Sequence, residues 1–123
     1  MKQCPKFYIS KDKNNIIKVI KGDYIPDDFS ELKANMQEGA GEKHVPVVTI
    51  KNNIVSVNIG SIPHPMIDEH NIEWVCIKTE KCEQYAYLEK NISPEINFSI
   101  LPDDKVQCVY AYCNQHGLWA VCL

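Results

Sequence analysis

From Val45 to its carboxyl end, the sequence repeats one pattern, in which short β-branched or aromatic runs alternate with turn residues. In the run Ile54–Ile59, Val55, Val57 and Ile59 alternate with polar residues, so one face of this strand is apolar. Short strands at such spacing, without a long helix, predict an all-β fold, an immunoglobulin-like antiparallel β-sandwich. The predicted strands are Val45–Ile50, Ile54–Ile59, Ile72–Lys78, Gln84–Glu89, Glu95–Leu101, Lys105–Tyr112 and Leu118–Cys122.

The amino-terminal part of the chain is more polar. Two short strands, Lys6–Ile9 and Ile16–Ile20, are predicted around a turn-like segment. A polar stretch then leads to Glu31–Gln37, where the window is too short to distinguish a helical turn from an extended connector. A Gly-Ala-Gly sequence follows and makes a flexible joint. The sequence therefore predicts a small segment over residues 1–38 and a main domain over residues 39–123.

The composition fits one domain of ordinary size. The chain has 123 residues, 45% of them hydrophobic, which is enough for a core but too short for a second full domain. Its formal charge of -3 comes from interspersed acids and bases, which argues against nucleic acid or a membrane surface as a partner. The sequence has neither an apolar run of about 18 residues nor a secretory signal. We therefore expect a soluble, cytoplasmic protein.

The chain has six cysteines. Without a signal peptide, they are expected to be reduced thiols and not a disulfide framework. Those in or beside predicted strands, Cys76, Cys82, Cys108 and Cys122, are expected to behave as small apolar side chains. No pair has the Cys-x-x-Cys spacing of a zinc ribbon or a dithiol oxidoreductase. Cys113 differs from the others, because a histidine follows it after two intervening residues.

All four histidines lie in loop-like or strand-edge sequence, beside Pro, Gly or charged residues. His44 stands at the entry to the first sandwich strand, and His64 and His70 share one proline-containing loop. Cys113 and His116 lie on the turn between the last two strands. Because the loops of a sandwich gather at its ends, these five side chains can converge without crossing the core. Together they form a mixed nitrogen and sulfur donor set for a transition metal.

The number and type of donors restrict the choice of metal. One thiolate with four imidazoles is one ligand too many for tetrahedral zinc. A blue copper site needs two histidines, one cysteine and a weak axial methionine; Met66 could serve, but no methionine closely follows His116. Four nitrogens in a square with an axial sulfur leave one open position, which suits ferrous iron and a small reacting ligand. A copper electron carrier and a zinc-stabilised binding module stay open as non-enzymatic alternatives.

Three sequence blocks carry a family resemblance. They are Glu42–Val47, His64–Met66 with His70–Trp74, and Cys113–Trp119. In combination they resemble the signature blocks of superoxide reductases, the desulfoferrodoxin and neelaredoxin family. The resemblance implies an immunoglobulin-like β-sandwich and an oxidoreductase activity, the one-electron reduction of superoxide to hydrogen peroxide.

The resemblance also implies a ligand set and two further roles. The cofactor would be one mononuclear non-haem iron, Fe2+ or Fe3+. Lys43 would attract superoxide and stabilise the peroxide that forms, as a cation beside a ligand can do. Glu42 would bind the ferric ion once peroxide has left. The implied equatorial ligands are His44, His64, His70 and His116, and the implied axial ligand is Cys113.

The resemblance extends to the amino-terminal segment. Many family members carry there a desulforedoxin-like domain, in which four cysteines bind a second iron. Phe7-Tyr8 and Asn15–Ile20 resemble its framework. Ser10 and Lys13 stand where the first cysteine pair is expected, and Asp27-Asp28 replaces the second. The resemblance therefore implies a degenerate desulforedoxin-like segment without metal.

Partners follow from the same resemblance. With no second redox centre expected in the chain, electrons would come from an external donor protein, which the family suggests is a rubredoxin. The most common closed assembly for a protein of this kind is a homodimer.

Overall fold

The computed structural model describes residues 4–123. These divide into two compact units, residues 4–33 and residues 34–123. Asn35, which precedes the predicted boundary at Gly39, lies in the larger unit because it bonds to the last strand. Its backbone N–H donates to the Leu118 carbonyl at 2.9 Å, and its side-chain oxygen accepts from the Ala120 N–H at 3.0 Å.

The smaller unit is a three-stranded antiparallel sheet. Its strands β1 (Phe7–Ser10), β2 (Ile16–Lys18) and β3 (Phe29–Leu32) have the order β2-β1-β3. Phe7 and Leu32 lie opposite each other and are both buried. β1 and β2 confirm the two predicted strands. The assignment of a polar stretch and then a turn or connector was wrong over β3, which is hard to recognise because its two middle residues are polar.

The larger unit begins with one helical turn, α1 (Gly41–His44), which seven strands follow. The strands are β4 (Pro46–Lys51), β5 (Ile54–Ile59), β6 (Ile72–Thr79), β7 (Glu83–Tyr87), β8 (Glu95–Ser99), β9 (Val106–Cys113) and β10 (Gly117–Cys122). β10, β9, β6 and β7 form one antiparallel sheet in that order, and β4, β5 and β8 form the other. The predicted strands and the all-β class are confirmed, with strand ends shifted by about one or two residues. Across residues 4–123, no helix has the length and apolar character needed to cross a membrane.

The core lies between the two sheets. Val55 and Val57 from β5 pack with Val75 and Ile77 from β6 and with Val109 from β9, and all five are buried. Their burial removes apolar surface from water, which is the main favourable contribution to folding. The alternation in these strands thus turns one face of each sheet towards the other.

Strand register brings three loops to one end of the sandwich. β6 begins opposite the end of β9, with Ile72 paired with Cys113. β4 begins opposite the end of β5, with Pro46 paired with Ile59. The turn before β4, the loop from β5 to β6 and the turn from β9 to β10 therefore meet at this end.

Two cysteines form a disulfide. Cys108 and Cys122 are register partners on β9 and β10, and their Sγ atoms are bonded. The expectation that this pair stays reduced and acts as small apolar side chains was wrong, because the register places the two residues directly opposite each other. Cys4, Cys76, Cys82 and Cys113 are not in disulfides.

Candidate metal centre

His44 is held by the helical turn that contains it. The turn begins after Ala40, and the His44 ring is buried. Nδ1 lies 2.7 Å from the Ala40 carbonyl oxygen. Because a carbonyl can only accept, Nδ1 carries the proton and Nε2 keeps a free lone pair. Nε2 is thereby available as a ligand atom.

His64 and His70 lie in the loop from β5 to β6. Nδ1 of His64 donates to the Pro65 carbonyl at 2.7 Å, which leaves its Nε2 lone pair free in the same way. The loop closes at His70, whose backbone exchanges hydrogen bonds of 3.0 and 3.2 Å with Ile67. Nε2 of His70 is buried and has no hydrogen-bond partner among the described residues. A buried nitrogen without a partner is costly, and a metal ion would satisfy it.

Cys113 ends β9, and His116 lies on the tight turn that leads into β10. The turn requires a left-handed residue, which Gly117 supplies with φ of 78°. The backbone N–H of His116 donates to Cys113 Sγ at 3.4 Å. The same turn brings Nδ1 of His116 to 3.9 Å from this sulfur. Both side chains therefore face one point.

The five predicted ligands come together. The ligand atoms of His44, His64, His70 and Cys113 all lie within 4.8 Å of one another. His116 joins them, with Nδ1 3.2 Å from Nε2 of His44. Nε2 of His44 and Nε2 of His64, both with free lone pairs, are 3.1 Å apart. Two nitrogens bound at right angles to a metal at about 2.1 Å lie roughly 3 Å apart. The donor set thus fits one transition-metal ion.

Burial changes the pKa values of the candidate ligands. Burial lowers the pKa of His64 to about 4, and it also lowers the pKa of His44 and His70. These imidazoles are therefore neutral near pH 7, as metal ligands must be. Burial raises the pKa of the Cys113 thiol, which the backbone N–H groups of Gln115 and His116 partly oppose. A bound metal ion would overcome that rise and deprotonate the sulfur.

Glu42 and Lys43 share the helical turn with His44 and are exposed. The positive charge of Lys43 contributes to lowering the pKa of both His44 and His70, while the negative charge of Glu42 opposes this at His44. Both charges therefore act at the site.

Trp119 supports the site from β10, a contribution that the sequence analysis missed. Its ring stacks on His44 with centroids 4.8 Å apart. Its indole N–H donates to the His116 carbonyl at 2.9 Å. One aromatic residue thus holds two histidines. Its position three residues after His116 was the available signal, but a sequence pattern does not show which ring it contacts.

Two glycines allow close approach around the site, and sequence reasoning missed both contacts. A Cβ on Gly39 would lie 3.2 Å from the His44 ring and 3.3 Å from the His116 ring. A Cβ on Gly60, directly after β5, would lie 2.6 Å from the Glu42 carbonyl oxygen. Glycine at position 60 thus lets the helical turn of His44 rest on the end of β5.

Met66 is the methionine that the copper alternative would use. It is buried in the apolar core. Its sulfur accepts the backbone N–H of Ile72 at 3.4 Å and is therefore already engaged in a hydrogen bond.

The chain is similar in sequence to known proteins. The family model described as Desulfoferrodoxin matches residues 36–122. The chain is 32% identical over 117 residues to a desulfoferrodoxin of Clostridium acetobutylicum, and the match covers 91% of each protein. It is 39% identical over 94 residues to a desulfoferrodoxin homolog of Archaeoglobus fulgidus, covering 76% of this chain and 72% of the relative.

A solved structure is also similar over nearly the whole chain. The crystal structure of the superoxide reductase from Treponema pallidum matches with a TM-score of 0.84 at 30% identity, covering 97% of this chain and 99% of the other. The fold and the site define a β-sandwich protein with a candidate metal centre of histidine and cysteine side chains. The chain belongs to the desulfoferrodoxin family.

Proposed function

We propose that this chain is a superoxide reductase, which reduces superoxide to hydrogen peroxide at a mononuclear iron site. The observation that carries the proposal is the convergence of three histidines and one cysteine within 4.8 Å, with a fourth histidine beside them, in a desulfoferrodoxin-family fold. The similarity to the Treponema pallidum enzyme supports it.

The proposed ligands are the five predicted ones. When bound, the iron would supply the electron for the reduction of superoxide. His44 and His64 present Nε2, because backbone carbonyls hold their Nδ1 protons. His116 presents Nδ1, and His70 presents its buried Nε2. Cys113 supplies a thiolate, whose negative charge the N–H of His116 stabilises.

Lys43 is proposed to attract the superoxide anion. The chemistry consumes one electron and two protons for each superoxide and yields one hydrogen peroxide, so negative charge must reach the site and then be neutralised. An exposed cation on the turn of His44 raises the local concentration of an anion and stabilises peroxide as it forms. The two protons are taken from water.

Lys43→Ala is expected to slow the second-order reaction with superoxide about three- to tenfold at low ionic strength, since one nearby cation provides only part of the attraction. The difference should shrink as salt screens the charge. The measurement is the rate constant as a function of ionic strength. Lys51→Ala is the control, because Lys51 is exposed at the other end of β4. Wild-type rate and salt dependence in Lys43→Ala would exclude the role.

Glu42 is proposed as a further residue that would hold the iron in its ferric form, since its carboxylate lies on the same turn as His44. The visible spectrum of the oxidised protein reports on this. The spectrum of Glu42→Gln should differ from that of the wild type, and identical spectra would argue against the carboxylate as a ligand.

The identity of the metal is a separate prediction. Protein purified without added metal should contain about one iron per chain, and its oxidised form should show a thiolate-to-iron charge-transfer band. Metal analysis and visible spectroscopy test this. Stoichiometric copper, or a colourless zinc protein, would overturn the proposal in favour of an electron carrier or a binding module.

The activity itself is tested by mixing the reduced protein anaerobically with superoxide. Formation of peroxide without oxygen is expected. Formation of oxygen in equal amount would indicate dismutation and contradict the proposal.

An external electron donor, a rubredoxin by family resemblance, is proposed to restore the ferrous state, and its rate of oxidation by the ferric protein is the corresponding measurement.

Two further proposals concern the whole chain. Residues 1–38 are proposed to be a degenerate desulforedoxin-like segment without metal, so iron in excess of one per chain would contradict this. A homodimer is proposed as the assembly, and sedimentation equilibrium would test it.

A further inference from the structure

Two side-chain amides from the Cys113 turn converge on one carbonyl of the His70 loop. Nδ2 of Asn114 donates to the Glu69 carbonyl at 3.1 Å. Nε2 of Gln115 donates to the same oxygen at 2.6 Å. Glu69 directly precedes His70, and the two donors directly follow Cys113. The bonds therefore join segments that carry two of the proposed ligands.

Asn114 also binds the residue on the other side of His70. The side-chain oxygen of Asn114 accepts the backbone N–H of Asn71 at 3.0 Å. The backbone N–H of Asn114 donates to the Asn71 carbonyl at 3.2 Å. Asn114 thus contacts the residues on both sides of His70. Asn71 is itself buried and fixed, because its side-chain amide donates to the Ile67 carbonyl at 2.9 Å.

The hydrogen bonds of Asn114 and Gln115 lie where the pairing of β6 with β9 ends. The pairing of β6 with β9 stops at Ile72 and Cys113 and shifts register just before it stops. Beyond this pair, the backbone bond from the Asn114 N–H to the Asn71 carbonyl continues the connection by one step. Asn114 and Gln115 continue the connection through their side chains.

We propose that Asn114 and Gln115 are positioning residues that set the distance and orientation of His70 relative to Cys113 for metal binding. Asn114 acts through the backbone of Glu69 and Asn71, and Gln115 acts through the Glu69 carbonyl.

Both residues are exposed, so water competes for their hydrogen bonds to the Glu69 carbonyl, and the loss of those bonds should change the fold little. The geometry of a metal site is more demanding, because a ligand must be held within about 0.5 Å of its productive position. Residues that orient ligands typically change metal affinity about 10- to 100-fold when removed. The expected signature is therefore an altered metal site in a protein of unchanged stability.

The test uses the whole metal-free chain with Co2+ alone as the probe, since Co2+ bound to thiolate is coloured. The variants are Asn114→Ala, Gln115→Ala and Gln115→Glu, the last of which keeps the size of the side chain but removes the donor. The control is Gln84→Ala, because Gln84 makes the same kind of exposed bond, from Nε2 to the Ser99 carbonyl at 2.9 Å, away from the proposed ligands.

Each site variant is expected to bind Co2+ about tenfold or more weakly and to shift the thiolate-to-cobalt band, with a melting temperature like that of the wild type. Gln84→Ala should match the wild type in all three measurements. Wild-type affinity and spectrum in the Gln115 variants would overturn the proposal. If Asn114→Ala does not fold, the Gln115 variants alone test the proposal.

The proposal rests on the metal centre proposed above, but its failure can be distinguished from a failure of the proposed activity. Wild-type protein that binds Co2+ through thiolate yet does not reduce superoxide when loaded with iron would contradict the activity alone. Unchanged cobalt binding in the variants of an active enzyme would contradict the positioning role alone.

Discussion

Replacement of Cys113 by serine is expected to abolish superoxide reduction while the β-sandwich stays folded. The side chain is buried at the end of β9, and serine has nearly the same shape. A serine hydroxyl is far less acidic than a thiol and is a poor ligand for iron, so the site loses its anionic sulfur donor. The rate with superoxide should fall by about two orders of magnitude or more, and the charge-transfer band should disappear.

The control for this substitution is Cys76→Ser. Cys76 is also buried in the same sheet, so the variant measures the effect of placing a hydroxyl at a buried position there. Thermal unfolding and the rate of superoxide consumption are measured for both variants. Activity near the wild-type rate in Cys113→Ser would refute the proposed role of the thiolate.

A methyl group at position 60 is expected to disrupt the centre from outside it. In Gly60→Ala, the new Cβ would lie 2.6 Å from the Glu42 carbonyl oxygen, 2.9 Å from the Lys43 carbonyl carbon and 3.0 Å from the His44 nitrogen. All three are backbone atoms, so the contact cannot be relieved by rotating a side chain. The helical turn must move, and His44 and Lys43 must move with it.

The free energy of unfolding of Gly60→Ala should fall by about 1–3 kcal/mol, the usual cost of an overpacked contact. Metal affinity should fall about tenfold or more, since a proposed ligand is displaced. Chemical denaturation and chelator competition measure the two effects. Gly41→Ala is the matched control in the same turn, because its Cβ would meet only a Val45 methyl group at 4.0 Å. Equal metal affinity in the two variants would show that the turn tolerates the shift.

The sandwich could be predicted because its strands alternate. In β5, apolar residues at every second position indicate one buried face, and the structure turns that face towards the core. β3 was not predicted from the sequence because only its end residues, Phe29 and Leu32, are apolar. A window of four residues with two polar ones does not indicate a strand, and the pairing with β1 is what forms it.

The candidate ligands could be chosen from the sequence because the chain has only four histidines, all of them in loop-like or strand-edge sequence. The residues that hold these ligands in place could not be chosen from the sequence. Gly60 and Glu42 are far apart in sequence, as are Asn114 and Glu69, and only the folded chain brings each pair together. The disulfide could not be predicted either, because no local spacing in the sequence indicates that Cys108 and Cys122 are register partners.

That disulfide has a consequence for electron counting. Opening the bond between Cys108 and Cys122 takes two electrons, whereas a ferric ion takes one. A dithiol added to keep the protein reduced acts on both groups, so a coulometric titration of the whole chain measures their sum. Alkylation of the new thiols followed by mass spectrometry separates the two contributions, and the difference is the number of electrons that the proposed iron takes up.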